Sequence, residues 1–299
     1  MKTIKGIIPP MITPLKGDDQ IDREGTVRLT EHILAGGVHA LFLLGTTGEA
    51  QSLSYECRYD FVELVCRQVA GRVPVLVGVT DTSLDESVKL AAHAAKCGAV
   101  AVVAAAPYYF APSQQELIEY YTALADALPL PLFLYNMPSH VKVFLEPATV
   151  KTLAEHPNIV GLKDSSANMT YFQTLLYHLG DREDFALYVG PEELTGESVV
   201  MGADGGANIF PELYVQMYYA ACNHDVNTMH TLQQKIMQIS TSLYTVGKYG
   251  SSYLKGVKCA LSLLGICDDY LSYPYRKFRS EERDKIRSAL EKLGASCKI

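Results

Sequence analysis

Short apolar runs alternate with amphipathic stretches along most of the chain. The runs are rich in Val, Ile, Leu and Ala and show no polar alternation, which is typical of parallel strands buried on both faces. Eight such runs lie at residues 7–12, 40–44, 73–79, 100–105, 130–135, 159–163, 186–189 and 205–209. The pattern therefore predicts eight buried strands, each followed by a helix.

Local signals mark the ends of the predicted helices. The segments Ser-Leu-Asp-Glu at 83–86 and Ser-Gln-Gln-Glu at 113–116 each predict a capping box. Glycines stand where helices commonly stop. These are Gly36, Gly37, Gly71, Gly98 and Gly180. Between residues 22 and 35, apolar positions repeat at the spacing of an inward-facing helical stripe.

Strand–helix units spaced about 20–35 residues apart predict an α/β fold, a closed (β/α)8 TIM barrel over residues 1–224. The rival is an open doubly wound sheet. That fold usually carries a glycine-rich GxGxxG turn after its first strand, whereas residues 9–14 are Pro-Pro-Met-Ile-Thr-Pro. From 225 to 299 the pattern predicts three helices, at 225–246, 253–266 and 280–293, as an appendix packed on the barrel in the same structural unit.

Composition narrows the classes of partner. The 299 residues are 48% hydrophobic and 20% charged, with a net charge of −7, which argues against a nucleic-acid or anionic-membrane partner. No run of about 18 uncharged apolar residues predicts a membrane span. The apolar start of the chain is interrupted by two prolines and is followed by no small-residue cleavage site.

The cysteines and histidines predict neither disulfides nor a metal site. Seven scattered cysteines form no CxxC pair, which favours reduced thiols in a cytoplasmic protein without structural zinc. The eight histidines show no HxH or HExxH spacing, so a metal site is not expected.

Lys163 ends the sixth apolar run, and active sites of barrels lie at the carboxyl ends of the strands. Burying an ammonium without a partner is costly. A low-dielectric site lowers a lysine pKa by up to ~3–5 units and supplies the neutral amine that attacks a carbonyl. The alternative is a lysine that extends into solvent at the mouth of the barrel.

Other strand ends carry polar groups, each with a structural alternative. Tyr135 could shuttle protons or could be a core tyrosine with a satisfied hydroxyl. The Gly-Thr-Thr-Gly-Glu loop at 45–49 could bind a carboxylate or could be an ordinary turn. The aromatic segment 107–110 favours a subunit contact. Glu192 and Glu193 open a helix, where carboxylates interact favourably with the dipole without any catalytic role.

Together these motifs resemble the dihydrodipicolinate synthase/N-acetylneuraminate lyase family along nearly the whole chain. The matching segments are 45–49, 107–109, 135–138, 161–163, 202–206 and 257–260. The resemblance implies that Lys163 forms an imine with the ketone of a 2-oxo acid and that Tyr135 moves protons. Thr46 and Tyr109 would complete a relay, with Tyr109 reaching in from a neighbouring subunit of a homotetramer, a dimer of dimers.

The resemblance also implies the groups that bind the small-molecule substrate. These are Gly45, Thr47, His140, Ser165, Gly190, Glu192, Glu193 and Ala207. The amides and side chains of Thr46 and Thr47 would hold the carboxylate. Because an imine is itself an electron sink, no metal or organic cofactor is expected.

Departures from the family pattern bear on the substrate. Dihydrodipicolinate synthases carry an arginine in a Pro-Ser-Arg-Thr-Gly context, which binds the carboxylate of the second substrate. His140 takes the place of that arginine here. A mostly neutral imidazole cannot bind a carboxylate in the bidentate manner of a guanidinium. Lysine-regulated synthases carry histidines after the 45–49 loop, where this chain has Tyr55 and Arg58. In sialic acid lyases, hydroxyl and acidic residues match Ser165 and the Glu192–Glu193 pair, although those enzymes have serine in place of Thr46.

The expected function is therefore a lyase, aldolase or dehydratase for a 2-oxo-3-deoxy sugar acid or sialic-acid-like substrate. The alternative is a 4-hydroxy-tetrahydrodipicolinate synthase that condenses pyruvate with aspartate semialdehyde. A non-catalytic barrel that binds a 2-oxo acid is disfavoured by the full set of Lys163, Tyr135 and Thr46. A phosphate- or flavin-binding barrel is disfavoured by prolines 191 and 211, where a glycine-rich loop would be needed.

Overall fold

A computed structural model describes residues 4–206 and 210–294 of the chain. Short strands in the described part are almost all fully buried, as the unbroken apolar runs predict. They are β1 (Gly6–Ile7), β2 (Leu15–Gly17), β3 (Gln20–Ile21), β4 (Leu41–Leu43), β5 (Val75–Gly78), β6 (Ala101–Ala105), β7 (Leu132–Asn136), β8 (Ile159–Asp164), β9 (Ala186–Val189) and β10 (Gly205–Gly206). Only β2 and β3 lie outside the main sheet, where they form a short antiparallel hairpin.

The main sheet runs in the order β1-β10-β9-β8-β7-β6-β5-β4, and every pairing in it is parallel. A parallel bridge between Pro10 and Phe42 joins the chain just after β1 to β4, so the sheet curls round to a ring. The predicted (β/α)8 barrel is confirmed, and the doubly wound alternative is wrong. Of the eighth predicted run, residues 207–209 lie outside the described part.

Helices separate the strands and cover the outside of the ring. They are α1 (Arg23–Ala35), α2 (Tyr55–Val69), α3 (Leu84–Lys96), α4 (Gln114–Ala127), α5 (Pro138–Val141), α6 (Pro147–Leu153), α7 (Met169–Leu179), α8 (Thr195–Val200) and α9 (Pro211–Cys222). Three further helices, α10 (Val226–Leu243), α11 (Ser252–Leu263) and α12 (Ser280–Leu293), follow the barrel, as predicted. No helix in the described ranges is long and apolar enough to cross a membrane.

The two predicted capping boxes have different outcomes. At the start of α4, Ser113 and Glu116 form the reciprocal pair of bonds, so that prediction is confirmed. At the start of α3, Ser83 precedes the helix but its side chain makes no capping bond, so that prediction is wrong. The reciprocal bond is also missing, because the backbone N–H of Ser83 donates to Asp81 at 3.0 Å and the Glu86 carboxylate pairs with Lys89 instead.

Two apolar cores hold the structure together. The larger one fills the barrel and the space between the strands and the surrounding helices. The smaller one lies among α9, α10, α11 and α12, and Ile7 of β1 belongs to it. The C-terminal helices therefore pack directly against the barrel, and α11 is placed next to the loop that follows β4.

Candidate active site

Lys163 and Tyr135 lie side by side at the carboxyl ends of neighbouring strands. The parallel register of β7 and β8 pairs the two residues directly. Lys163 is only 9% exposed, and its ammonium lies 4.5 Å from the centre of the Tyr135 ring and 5.1 Å from that of Phe42. Lys163 is thus enclosed between two aromatic faces, and the alternative of a lysine extended into solvent is wrong.

The hydroxyl of Tyr135 lies within a cluster of polar side chains. It is 3.4 Å from the hydroxyl of Thr46, and the side chains of Ser165 and Lys163 are near enough to influence its pKa. Burial raises the pKa of Tyr135, but the positive charge of Lys163 and these polar side chains outweigh it and leave the pKa below its ordinary value. This phenol releases a proton more readily than an ordinary tyrosine, which suits proton transfer next to an amine.

The loop after β4 is held in place by contacts with buried groups. Thr47 is buried, and its hydroxyl lies 3.3 Å from that of Tyr253 on α11. Glu49 has a left-handed backbone (φ +56°) and is fully buried. Its carboxylate pairs with Lys258, also fully buried, and accepts bonds of 2.9 and 2.8 Å from the N–H and hydroxyl of Ser272. The loop is therefore anchored to the C-terminal helical part of the chain.

A cavity of about 350 Å³ opens beside this loop. Its lining includes the Tyr135–Thr46 pair and a wall of mixed apolar and hydrogen-bonding side chains. The lining residues are Phe42, Leu44, Gly45, Thr46, Ala50, Gln51, Gly78, Thr80, Ala105, Tyr108, Tyr135, Met137, Ser139, His140, Val141, Lys142 and Tyr275. Lys163 borders a separate void of about 20 Å³ beneath it, which shares Phe42 with the larger cavity.

Helix α5 supplies His140 to the cavity wall, and the residue after the helix supplies Lys142. Loss of solvation in the cavity wall and then the charge of Lys142 lower the pKa of His140, although part of its side chain is exposed, in line with the prediction of a mostly neutral imidazole. Lys142 has a left-handed backbone (φ +64°), and its ammonium donates to the carbonyl of Ser139 at 2.8 Å. Among the described lining residues, Lys142 is the only lysine or arginine.

Ser165 and Gly190 meet behind Tyr135. The backbone N–H of Ser165 donates to the carbonyl of Asn136 on β7 at 2.8 Å, and that of Gly190 donates to Asp164 at 2.6 Å. A methyl group on Gly190 would lie 2.0 Å from the Ser165 hydroxyl. Position 190 therefore requires glycine for Ser165 to keep its place beside Tyr135.

The Glu192 carboxylate is buried against the helical part of the chain. One of its oxygens accepts bonds from the hydroxyls of Tyr214 on α9 and Tyr244 at the end of α10, at 2.8 and 2.6 Å. The backbone carbonyl of Glu193 accepts a bond from Gln233. Within the described ranges, neither glutamate lines the cavity. Their predicted contact with substrate stays a prediction.

Tyr109 does not line the cavity of this chain. Its side chain is 87% exposed and lies edge-on to Phe110, which is 82% exposed. Its neighbour Tyr108 lines the cavity, although the sequence predicted no role for Tyr108 itself beyond a subunit contact. Ala207 lies outside the described residues.

Several side chains near the site carry no signal in the sequence. Phe42 is one apolar residue among many in its strand, and Tyr275 and Tyr253 reach the site from the C-terminal part of the chain. No group of three or more His, Cys, Asp or Glu side chains in the part the structure covers is placed to hold a metal ion. The lack of a cofactor stays a prediction.

Comparisons with known proteins agree with this geometry. The model of the dihydrodipicolinate synthetase family matches residues 3–293. A 4-hydroxy-tetrahydrodipicolinate synthase of Methanopyrus kandleri is 34% identical, with 97% of each chain covered. A protein of Escherichia coli described as a probable 2-dehydro-3-deoxy-D-pentonate aldolase, YjhH, is 33% identical, with 98% of this chain and 99% of that one covered.

Solved structures give the same result. A dihydrodipicolinate synthase from Bacteroides thetaiotaomicron superposes with a TM-score of 0.95 at 57% identity, covering 98% of this chain and 99% of that one. YagE of E. coli, described in complex with pyruvate, superposes with a TM-score of 0.91 at 30% identity, covering 97% and 98%. This chain belongs to the dihydrodipicolinate synthetase family of pyruvate-dependent lyases and synthases that work through a Schiff base.

Proposed function

We propose that Lys163 is the amine that forms the Schiff base with a 2-oxo acid. The observation that carries this is its place at a strand end, buried beside Tyr135 and Phe42, both of which line the cavity. The neutral amine adds to the ketone carbon, and the carbinolamine loses water to give the imine. The hydroxyls and amides of Thr46 and Thr47, on the loop beside the cavity, hold the carboxylate of the acid.

Tyr135 is the proton carrier of the reaction. Its side chain lies against Lys163 and its hydroxyl is 3.4 Å from that of Thr46, so it can protonate the departing water and later receive a proton from the substrate. Tyr109 completes the relay from a neighbouring subunit of a homotetramer. Its 87% exposure beside Phe110 supports this arrangement, because such an aromatic pair suits burial in a subunit contact.

The substrate we favour is a 2-oxo-3-deoxy sugar acid or a sialic-acid-like acid. The cavity wall offers neutral hydrogen-bonding groups to a polyol chain, such as Gln51, Tyr108 and Ser139. In cleavage, the C4 hydroxyl loses a proton to Tyr135, the C3–C4 bond breaks and the aldehyde leaves. The bonding electrons form an enamine on Lys163, which is protonated at C3 and hydrolysed to pyruvate. The relative described as a pentonate aldolase supports this direction.

A second candidate is the condensation of pyruvate with aspartate semialdehyde. Lys142 favours it, because this cation on the cavity wall could bind the second carboxylate in place of the arginine that His140 replaces. The relatives from M. kandleri and B. thetaiotaomicron, both described as such synthases, support it as well. In either case we place the enzyme in the cytoplasm, with no nucleic-acid or membrane partner.

A substrate panel separates the two candidates. The purified protein is incubated with 2-oxo-3-deoxy sugar acids and sialic acids, and separately with pyruvate and aspartate semialdehyde. Pyruvate released or consumed is measured, with Lys163→Ala as the inactive control. We expect cleavage of at least one sugar acid to be faster than condensation. Efficient condensation without any cleavage would show that the synthase is the correct candidate.

A further inference from the structure

A group of three tyrosines surrounds the buried carboxylate of Glu192. Tyr214 and Tyr244 donate to the same carboxylate oxygen, at 2.8 and 2.6 Å. The pKa of each tyrosine is raised well above its ordinary value, mainly by burial and secondly by the negative charge of Glu192. Both phenols therefore remain protonated and act as donors, so the carboxylate holds them in fixed places.

Tyr253 is the third member of this group, and it is held through its ring. The ring packs edge-on against that of Tyr244, with centres 4.7 Å apart and planes at 71°. Burial and the charge of Glu192 raise the pKa of Tyr253 as well. A phenol that stays neutral is not a base for catalysis, but it is a constant hydrogen-bond partner.

The hydroxyl of Tyr253 meets the loop at Thr47, 206 residues away in the sequence, at 3.3 Å. The preceding residue, Thr46, bonds Tyr135 at 3.4 Å. Two adjacent threonines thus contact two different tyrosines, one beside Lys163 and one in the C-terminal helices. A threonine hydroxyl can otherwise rotate to bond nearby backbone, so an external partner selects its rotamer.

We propose that Tyr253, held in place by the Glu192–Tyr244 pair, is a positioning residue that fixes Thr47 for binding the carboxylate of the 2-oxo acid. This inference rests on the proposed function. It gives Glu192 a role through Tyr244 and Tyr253, in place of direct contact with substrate.

The test uses the full-length enzyme and pyruvate alone, so it does not depend on the aldehyde. Borohydride trapping is measured against pyruvate concentration, which gives a half-saturating concentration and a maximal extent of labelling. Losing one positioned hydrogen bond in Tyr253→Phe should raise the half-saturating concentration about five- to tenfold. Maximal labelling should stay within about twofold of wild type, because Tyr253 takes no part in proton transfer.

Two further variants make the test specific. Tyr121→Phe is the matched control, because Tyr121 is a fully buried tyrosine whose hydroxyl bonds only a backbone carbonyl, Ala104, among the hydrogen bonds described for it. This control should bind pyruvate as wild type does. Thr47→Val should weaken binding as well, and adding Tyr253→Phe to it should cause no further loss, since both changes remove the same interaction.

Each outcome has a distinct meaning. The inference would be overturned if Tyr253→Phe kept the wild-type half-saturating concentration of pyruvate. It would also be overturned if the losses of pyruvate binding from Tyr253→Phe and Thr47→Val added up in the double variant. In both cases the proposed function would stand. Absence of labelling on Lys163 in the wild type would instead overturn the proposed function. If Tyr253→Phe does not fold, as judged by circular dichroism, Glu192→Gln is measured in its place. A rise in the half-saturating pyruvate concentration that is smaller than the one expected for Tyr253→Phe supports the inference, and an unchanged concentration overturns it.

Discussion

Tyr135 and Lys163 are direct partners across the β7–β8 pair, and the Lys163 ammonium lies 4.5 Å from the centre of the Tyr135 ring. Since side chains opposite each other on parallel strands point the same way, both reach the same end of the barrel. The pair places two groups side by side. One is an amine that can attack a carbonyl, and the other is a phenol whose pKa is below its ordinary value.

Removing the hydroxyl of Tyr135 should slow the reaction strongly. A positioned proton-transfer group typically contributes ~10²–10⁴ in rate, so Tyr135→Phe should reduce kcat by that order. Its thermal stability should change little, because the ring remains in place. Steady-state kinetics and thermal unfolding measure the two effects. A variant within about threefold of wild type would show that the hydroxyl is only structural.

The pH dependence should report the lowered pKa of Tyr135. The protonated phenol must donate to the substrate, so kcat/KM should fall as pH rises, at a pH below the ordinary tyrosine value of about 10. The bond from Thr46 helps to lower this pKa. Thr46→Val should therefore shift the alkaline fall to higher pH, whatever its effect on the maximal rate. A profile that keeps its position or shifts to lower pH would contradict the assignment.

The strand ends and the chemistry of their residues could be predicted from the sequence. A lysine or tyrosine that ends a run of buried apolar residues stands out, and parallel strands bring such ends together. The partners of Glu192 could not be, because Tyr214 and Tyr244 lie 22 and 52 residues further along the chain. The capping box at Ser83 fails for a different and local reason, since Asp81, two residues earlier, accepts the N–H that Glu86 would have to accept.

The buried pair of Glu49 and Lys258 should matter for stability. Removing one partner leaves an uncompensated buried charge, which typically costs about 3–5 kcal/mol, so Lys258→Met should lower the urea midpoint markedly. Lys285→Met is the control, because its pair with Glu281 is exposed to solvent and should contribute little to stability.

The double variant Glu49→Gln/Lys258→Met should recover part of the loss, because no charge is left unpaired. Urea unfolding of the wild type and of all three variants is measured at the same protein concentration. Equal midpoints for Lys258→Met and the Lys285→Met control would contradict the importance of the buried pair.

Lys142 should distinguish the two candidate substrates. If the enzyme cleaves a neutral polyol chain, Lys142→Gln should leave KM for the sugar acid within about twofold of wild type. If it condenses aspartate semialdehyde, loss of a charge-assisted bond of ~1.5–3 kcal/mol should raise KM for the semialdehyde about tenfold or more. Lys151→Gln, on the exposed face of α6, is the matched control. We expect the first result.

Covalent trapping tests the central claim most directly. The protein is incubated with pyruvate and borohydride, digested, and analysed by mass spectrometry, with Lys163→Ala as the control. We predict a reduced pyruvate adduct on Lys163 and none in the variant, because Lys163 is the lysine enclosed beside Tyr135 and Phe42, which both line the cavity. An adduct on Lys142 or Lys258, or no adduct at all, would contradict the assignment of Lys163 as the Schiff-base lysine.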